Sequence, residues 1–175
     1  RAGCERGELP TCLSLALFLR SSPAIPSDPT AADRFEKHAC DGGYGVACWS
    51  AARTRALALP PGADDPAMKA TLKRAAALTL AACDSGDATS CQTAASLAPE
   101  DTGGLVDREK AANLVARAAS LHEQRCAKRD VKGCRQGALL ASSPRGGKNI
   151  PLAIGLFEKA CALGSAMGCS RAGGA

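Results

Sequence analysis

Aromatic residues are nearly missing from this chain: one Trp, one Tyr and three Phe among 175 residues. A large mixed core draws on such side chains because each buries a large apolar area. Their scarcity excludes a thick core of that kind. Strand patterning is also missing, since no run of alternating Val, Ile and Thr is long enough for a sheet. Long hydrophobic runs are absent too. The longest, Leu13 to Leu19, is interrupted by Ser14 and falls well short of the roughly 20 residues that span a bilayer. Neither sign of charge dominates: the formal net charge is +5. Without a basic face and stacking aromatics, nucleic acid is not an expected partner. There is no initiator Met and no complete signal peptide at the start.

What remains is rich in Ala and Leu, which favour helices, and in cysteine. The ten cysteines are Cys4, Cys12, Cys40, Cys48, Cys83, Cys91, Cys126, Cys134, Cys161 and Cys169. They form five pairs, each separated by eight positions, and the leading cysteines step by 36, 43, 43 and 35 residues. A fixed motif at this period marks a repeat array.

Other positions keep the same register. Eight before the leading cysteine stands Ala32, Ala75, Ala118 or Ala153; five before it stands Phe35, Leu78, Leu121 or Leu156. The two lie three apart and share one helix face. Three after the leading cysteine comes Gly7, Gly43, Gly86 or Gly164, with Arg129 in the fourth unit. Gly there is suited to the left-handed conformation that ends a helix. Asp87 and Ser165 follow directly as N-caps for a second helix. The residue before the second cysteine is small: Thr11, Ala47, Ser90, Gly133 or Gly168. Small residues after it, such as Ala94 and Ala95, allow close helix approach.

The expected fold is therefore an all-α solenoid of helical hairpins forming a single array over 1–175. A partial first unit covers 1–20, and hairpins cover about 30–58, 65–98, 107–141 and 150–173. Loops at Ser21 to Pro29, Pro60 to Asp65, Pro99 to Gly104 and Ser142 to Lys148 interrupt the helices. The first unit holds only the end of a first helix, and Gly173-Gly174-Ala175 takes the place of a capping helix. The expectation is a monomeric module of a longer chain.

Zinc sites use clustered Cys-x2-4-Cys spacing or Cys with His, and only His38 and His122 are available for five sites. A hairpin instead brings a cysteine at the end of one helix opposite one at the start of the next, within disulfide reach. Disulfides imply an oxidising compartment, periplasmic or extracellular. Closing such a loop contributes about 2–3 kcal/mol in the chain-entropy treatment.

Phe157-Glu158-Lys159-Ala160-Cys161-Ala162-Leu163-Gly164, followed by Met167-Gly168-Cys169, resembles the Sel1-like repeat. It looks most like the disulfide-bearing form in the Helicobacter cysteine-rich proteins. The stretches from Phe35 to Gly43, Asp130 to Cys134 and Gly103 to Asp107 are similar to the same pattern. The resemblance spans nearly the whole chain. It implies a right-handed superhelix related to tetratricopeptide repeats, with a protein or peptide bound on the concave face. Some cysteine-rich members bind penicillin or weakly hydrolyse β-lactams, so it also implies a rival reading as an enzyme acting on β-lactam- or peptidoglycan-related substrates.

The residues do not supply that chemistry. No Ser has Lys three positions later and no Lys-Thr-Gly occurs. His122-Glu123 lacks the second His of a zinc-protease helix. No catalytic residue, cofactor or resident metal is assigned. The expected role is a scaffold or adaptor, read by exposed first-helix residues: Arg34, Lys37, His38, Arg74, Arg117, Gln124, Arg125 and Lys159. Three features keep two readings each. His38 and His122 are solvated or interface side chains, or ligands. Arg125, Lys128, Arg129, Lys132 and Arg135 form a solvated turn, or an anchor for an acidic partner. Tyr44 and Trp49 are buried between repeats, or form a binding hot spot.

Overall fold

A computed structural model describes residues 2–23, 26–60, 63–98 and 104–173. Among them are ten helices and no strand: α1 (Ala2–Glu5), α2 (Leu9–Ser21), α3 (Pro29–Asp41), α4 (Gly45–Ala58), α5 (Pro66–Asp84), α6 (Ala88–Ala95), α7 (Arg108–Ala127), α8 (Val131–Ser142), α9 (Ile150–Ala162) and α10 (Ala166–Ala172). Arg1, joint residues 24–25, 61–62 and 99–103, and the tail Gly174-Ala175 lie outside the described residues.

The first helices of the hairpins start on side-chain caps. Asp28, Asp65, Asp107 and Asn149 accept backbone N–H bonds from the opening turns of α3, α5, α7 and α9, satisfying donors that have no partner within the helix. Pro29, Pro66 and Pro151 lie in those first turns, where a missing N–H costs little.

Every hairpin then closes with one turn. The residue three after the leading cysteine donates its N–H to that cysteine's carbonyl, and the next residue reaches one position further back. In the second hairpin these are Gly43 to Cys40 at 3.0 Å and Tyr44 to Ala39 at 3.0 Å. The same pair of bonds recurs at Gly7 and Glu8, Gly86 and Asp87, Arg129 and Asp130, and Gly164 and Ser165. This is the Schellman arrangement. Its left-handed residue has φ between 84° and 97° at the four glycines and 64° at Arg129. The residue that completes the turn also caps the following helix: Asp87, Asp130 and Ser165 each accept N–H bonds from the next turn.

The turn fixes the second cysteine in the opening turn of the second helix, facing the first. All five pairs are disulfides, with Cα atoms 4.4 to 4.6 Å apart. Close approach explains the small residue before it. A Cβ on Gly133 would lie 2.6 Å from Arg125 Cβ.

The hairpins pack in chain order, α2 on α3, α4 on α5, α6 on α7 and α8 on α9. Ala32, Ala75 and Ala118 are fully buried and Ala153 nearly so, so the helices meet through methyl groups. Four positions before the leading cysteine, a second face is buried in every complete hairpin, at Glu36, Thr79, His122 and Phe157. The core is thus a series of thin apolar clusters along the stack. Trp49 packs against two of them and bridges neighbouring hairpins. Tyr44 is half-buried beside the second clasp. Burial raises its hydroxyl pKa, and Asp87 adds to the shift.

Candidate functional site

The face of α3 turned towards the preceding unit carries Ala31, Arg34, Phe35 and His38, spaced three, four and seven residues from the first. This spacing puts them on one side of a helix. Opposite, Leu15 and Leu19 lie four apart on α2. Between the two helices opens a cavity of about 720 Å³, with Leu15, Leu19 and Phe35 as apolar lining and Glu5, Asp28, Arg34 and His38 as polar lining. Its volume falls within the range of small-ligand and peptide-side-chain pockets, roughly 300–1,000 Å³.

Another face of α3 holds the helix in place. Glu36 is only 2% exposed, yet one carboxylate oxygen lies 2.7 Å from Arg20 of α2 and the other accepts from Ser50 of α4 at 2.6 Å. Arg20 also reaches Asp33 at 2.9 Å. One buried carboxylate thus ties α2, α3 and α4 together. Glu36 was not among the sequence candidates. Its signal was available: it occupies the position filled by Thr79, His122 and Phe157 in the other hairpins.

The remaining candidates are dispersed. Arg34 and His38 are exposed and share the groove. Lys37 and Arg74 meet instead at Asp41, with Lys37 Nζ 2.6 Å from its carboxylate and Arg74 donating to its backbone carbonyl at 3.0 Å. Arg117 donates in the same way to the carbonyl of Asp84, also at 3.0 Å. Both contacts place a guanidinium at the negative end of the preceding first helix, where a cation is favoured. Arg74 and Arg117 therefore tie successive hairpins together while keeping part of their surface open. Gln124 is exposed and bonds Ser120 within its own helix. Lys159 lines a shallow cavity of about 360 Å³ with Arg129.

Arg125 departs from the expected exposed position. It is half-buried, and its guanidinium closes on Asp130, with Nε 2.7 Å from the carboxylate. The reason is local. Asp130 caps α8 five residues on, and the turn points it back at α7. Burial opposes ionisation of Asp130, but the Arg125 hydrogen bond and the amide of Gly133 outweigh it and keep its pKa below the ordinary value. Of the other tip cations, Lys128, Arg129 and Lys132 are exposed and Arg135 is half-buried.

His122 is an interface residue, 1% exposed, with Nε2 3.1 Å from Gln92 Oε1 of the preceding hairpin. Burial, with Arg125 adding to it, pushes its pKa down to about 4. The ring is neutral at pH 7.

The chain is similar to Sel1 repeat proteins of known structure. A Sel1 repeat protein from Oxalobacter formigenes is 18% identical with a TM-score of 0.44, over 94% of this chain and 62% of that one. A protective antigen present in uropathogenic Escherichia coli strains, displaying an SLR fold, is 15% identical with a TM-score of 0.41, over 97% of this chain and 34% of that one. The chain thus spans less than two thirds of either protein. No family model matches, and no curated protein matches. The helical hairpins and five internal disulfides of the chain itself fit a disulfide-bearing Sel1-like repeat protein. No helix among the described residues is long and apolar enough to cross a membrane.

Proposed function

We propose that this chain is a protein- or peptide-binding scaffold of an oxidising compartment, periplasmic or extracellular, that holds its partner on the first-helix, concave face. The groove between α2 and α3 is the anchoring point. The observation that carries this reading is the pairing of the apolar Leu15, Leu19 and Phe35 with the cationic Arg34 on one open cavity. Apolar anchors in a pocket beside a well-placed polar group are what extended peptides use for affinity and orientation. The partner expected is a segment with a large apolar residue next to a carboxylate. Five disulfides support the compartment, because such bonds persist where thiols are not kept reduced.

The test is selection of peptides on the oxidised protein from a displayed library, followed by affinity measurement. Selected peptides should share an apolar–acidic pair, and Arg34→Ala and Phe35→Ala should each weaken binding about tenfold, or 1.4 kcal/mol. The Arg34 contribution should shrink as salt is raised. Affinities unchanged in both variants, with helicity intact, would remove the groove as the site.

A further inference from the structure

The first clasp differs from the other four in what lies over it. A ring nitrogen of His38 and the sulfurs of Cys4 and Cys12 all lie within 4.8 Å of one another. Among the described residues, no other three His, Cys, Asp or Glu side chains converge in this way. His38 stands two before the leading cysteine of its own hairpin and so reaches back to the clasp of the preceding one. At this position the later hairpins have Ala81, Gln124 and Lys159. In the last of these the geometry is shared: Lys159 and Cys126 of the preceding clasp line one cavity. The register therefore puts a side chain near the preceding clasp, and only at the first clasp is that side chain an imidazole. Cys4 and His38 also line the groove between α2 and α3, which gives an ion or a reductant a route to them.

We infer that the first clasp is a redox-gated zinc site: once the Cys4–Cys12 bond is reduced, both thiolates and His38 hold one zinc ion, with the fourth position open to the groove. A dithiol reductant supplies two electrons and two protons, is itself oxidised to a disulfide, and leaves Cys4 and Cys12 as thiols. Zinc then displaces the two thiol protons to solvent and takes a neutral ring nitrogen of His38. Three protein ligands and one open position are a recurring zinc arrangement, with Zn–S about 2.3 Å and Zn–N about 2.0–2.1 Å. Once the bond is broken, rotation of the two cysteine side chains must move the sulfurs apart to bind one ion. The turn at Gly7 and Glu8 holds the two cysteines by backbone hydrogen bonds that do not depend on the disulfide. His38 is exposed, on the groove side of the clasp. The ion would take over the work of the covalent bond, keeping the first hairpin closed and the groove wall standing where a reductant has opened the clasp. This goes beyond the peptide-binding proposal and does not need it, since zinc uptake is read with no peptide present.

The experiment treats the oxidised chain with graded amounts of a phosphine reductant. Freed thiols are mapped by alkylation and mass spectrometry. Zinc is titrated at each step, with cobalt(II) as the spectroscopic stand-in. One zinc per chain is expected once Cys4–Cys12 is open, with a thiolate-to-cobalt charge-transfer band and protection of Cys4 and Cys12 alone from alkylation. His38→Ala should weaken uptake at least about tenfold with the helical circular dichroism unchanged. A Cys4→Ser/Cys12→Ser double variant should keep its helicity and take up no zinc at the same reductant dose. The inference is overturned if the opened first clasp takes up no zinc, if uptake is indifferent to His38→Ala or survives the double serine variant, or if it rises with every clasp opened.

Discussion

At the junction of α2 with α3, the buried residue four before the leading cysteine is Glu36, held by Arg20 and Ser50. At the junction of α8 with α9, the same position is Phe157, 6% exposed and packed with Ala138, Leu156 and Ala160. One backbone register is therefore closed by a polar network at one end of the array and by an apolar plug at the other. The position must be filled because the helices leave a gap there. What fills it depends on what the preceding second helix offers. A charge needs a charged and hydrogen-bonding partner when buried; a phenyl ring needs only apolar walls.

The largest effects come from breaking these two junctions. Glu36→Ala leaves Arg20 with Asp33 alone and Ser50 without its acceptor, and should cost about 2–3 kcal/mol in urea unfolding. Phe157→Ala opens a cavity and should cost more, about 3–5 kcal/mol. The two differ in their rescue. Replacing both ionic partners, Arg20→Met with Glu36→Leu, should restore most of the lost stability because neither charge is left buried alone. A double variant as unstable as Glu36→Ala would mean that the ion pair is not what closes that junction.

His122 fills the same position with a group that titrates. Its folded-state pKa of about 4 lies below the unfolded value of about 6.5. Protonation therefore favours the unfolded chain. The contribution is complete above pH 6.5 and is lost as pH falls from there towards 4, by up to about 3 kcal/mol. Unfolding midpoints measured across this window should drop for the natural chain and flatten in His122→Leu. Equal slopes in the two proteins would mean that the histidine is already solvated in the folded state.

The smallest effect separates the fourth turn from the other four. Arg129 holds φ at 64° where the others have Gly. Arg129→Gly should stabilise by about 1 kcal/mol, and Gly86→Ala should destabilise by a similar amount. Midpoint shifts of opposite sign in thermal unfolding would check this; shifts of the same sign would break it.

Much of the fold is legible in the cysteine spacing, the Gly three residues on, and the caps Asp87 and Ser165, because each acts within a few residues of itself. The caps of the first helices were also legible in Asp28-Pro29 and Asp65-Pro66, although as sequence these read only as loop. The groove was half legible. Arg34 and His38 read as exposed first-helix residues, but nothing local says that Leu15 and Leu19 come up to face them. Arg74 at Asp41 and Arg117 at Asp84 each reach 33 residues back, a contact between units that no single unit reveals. Arg125 reads as a first-helix residue, but its pairing with Asp130 lies across a turn whose direction only the folded chain shows.

The sequence by itself determined the repeating unit: helix, left-handed turn, cap, helix and the cysteine pair across them. Backbone conformation and covalent reach are local, and five copies of one spacing leave little choice. Only the tertiary structure decided which buried position holds a charge, which cations remain open, and that an imidazole from one hairpin lies over the sulfurs of the one before. These depend on how neighbouring units pack, and burial and electrostatics are set by everything within a few ångströms, whatever its distance along the chain.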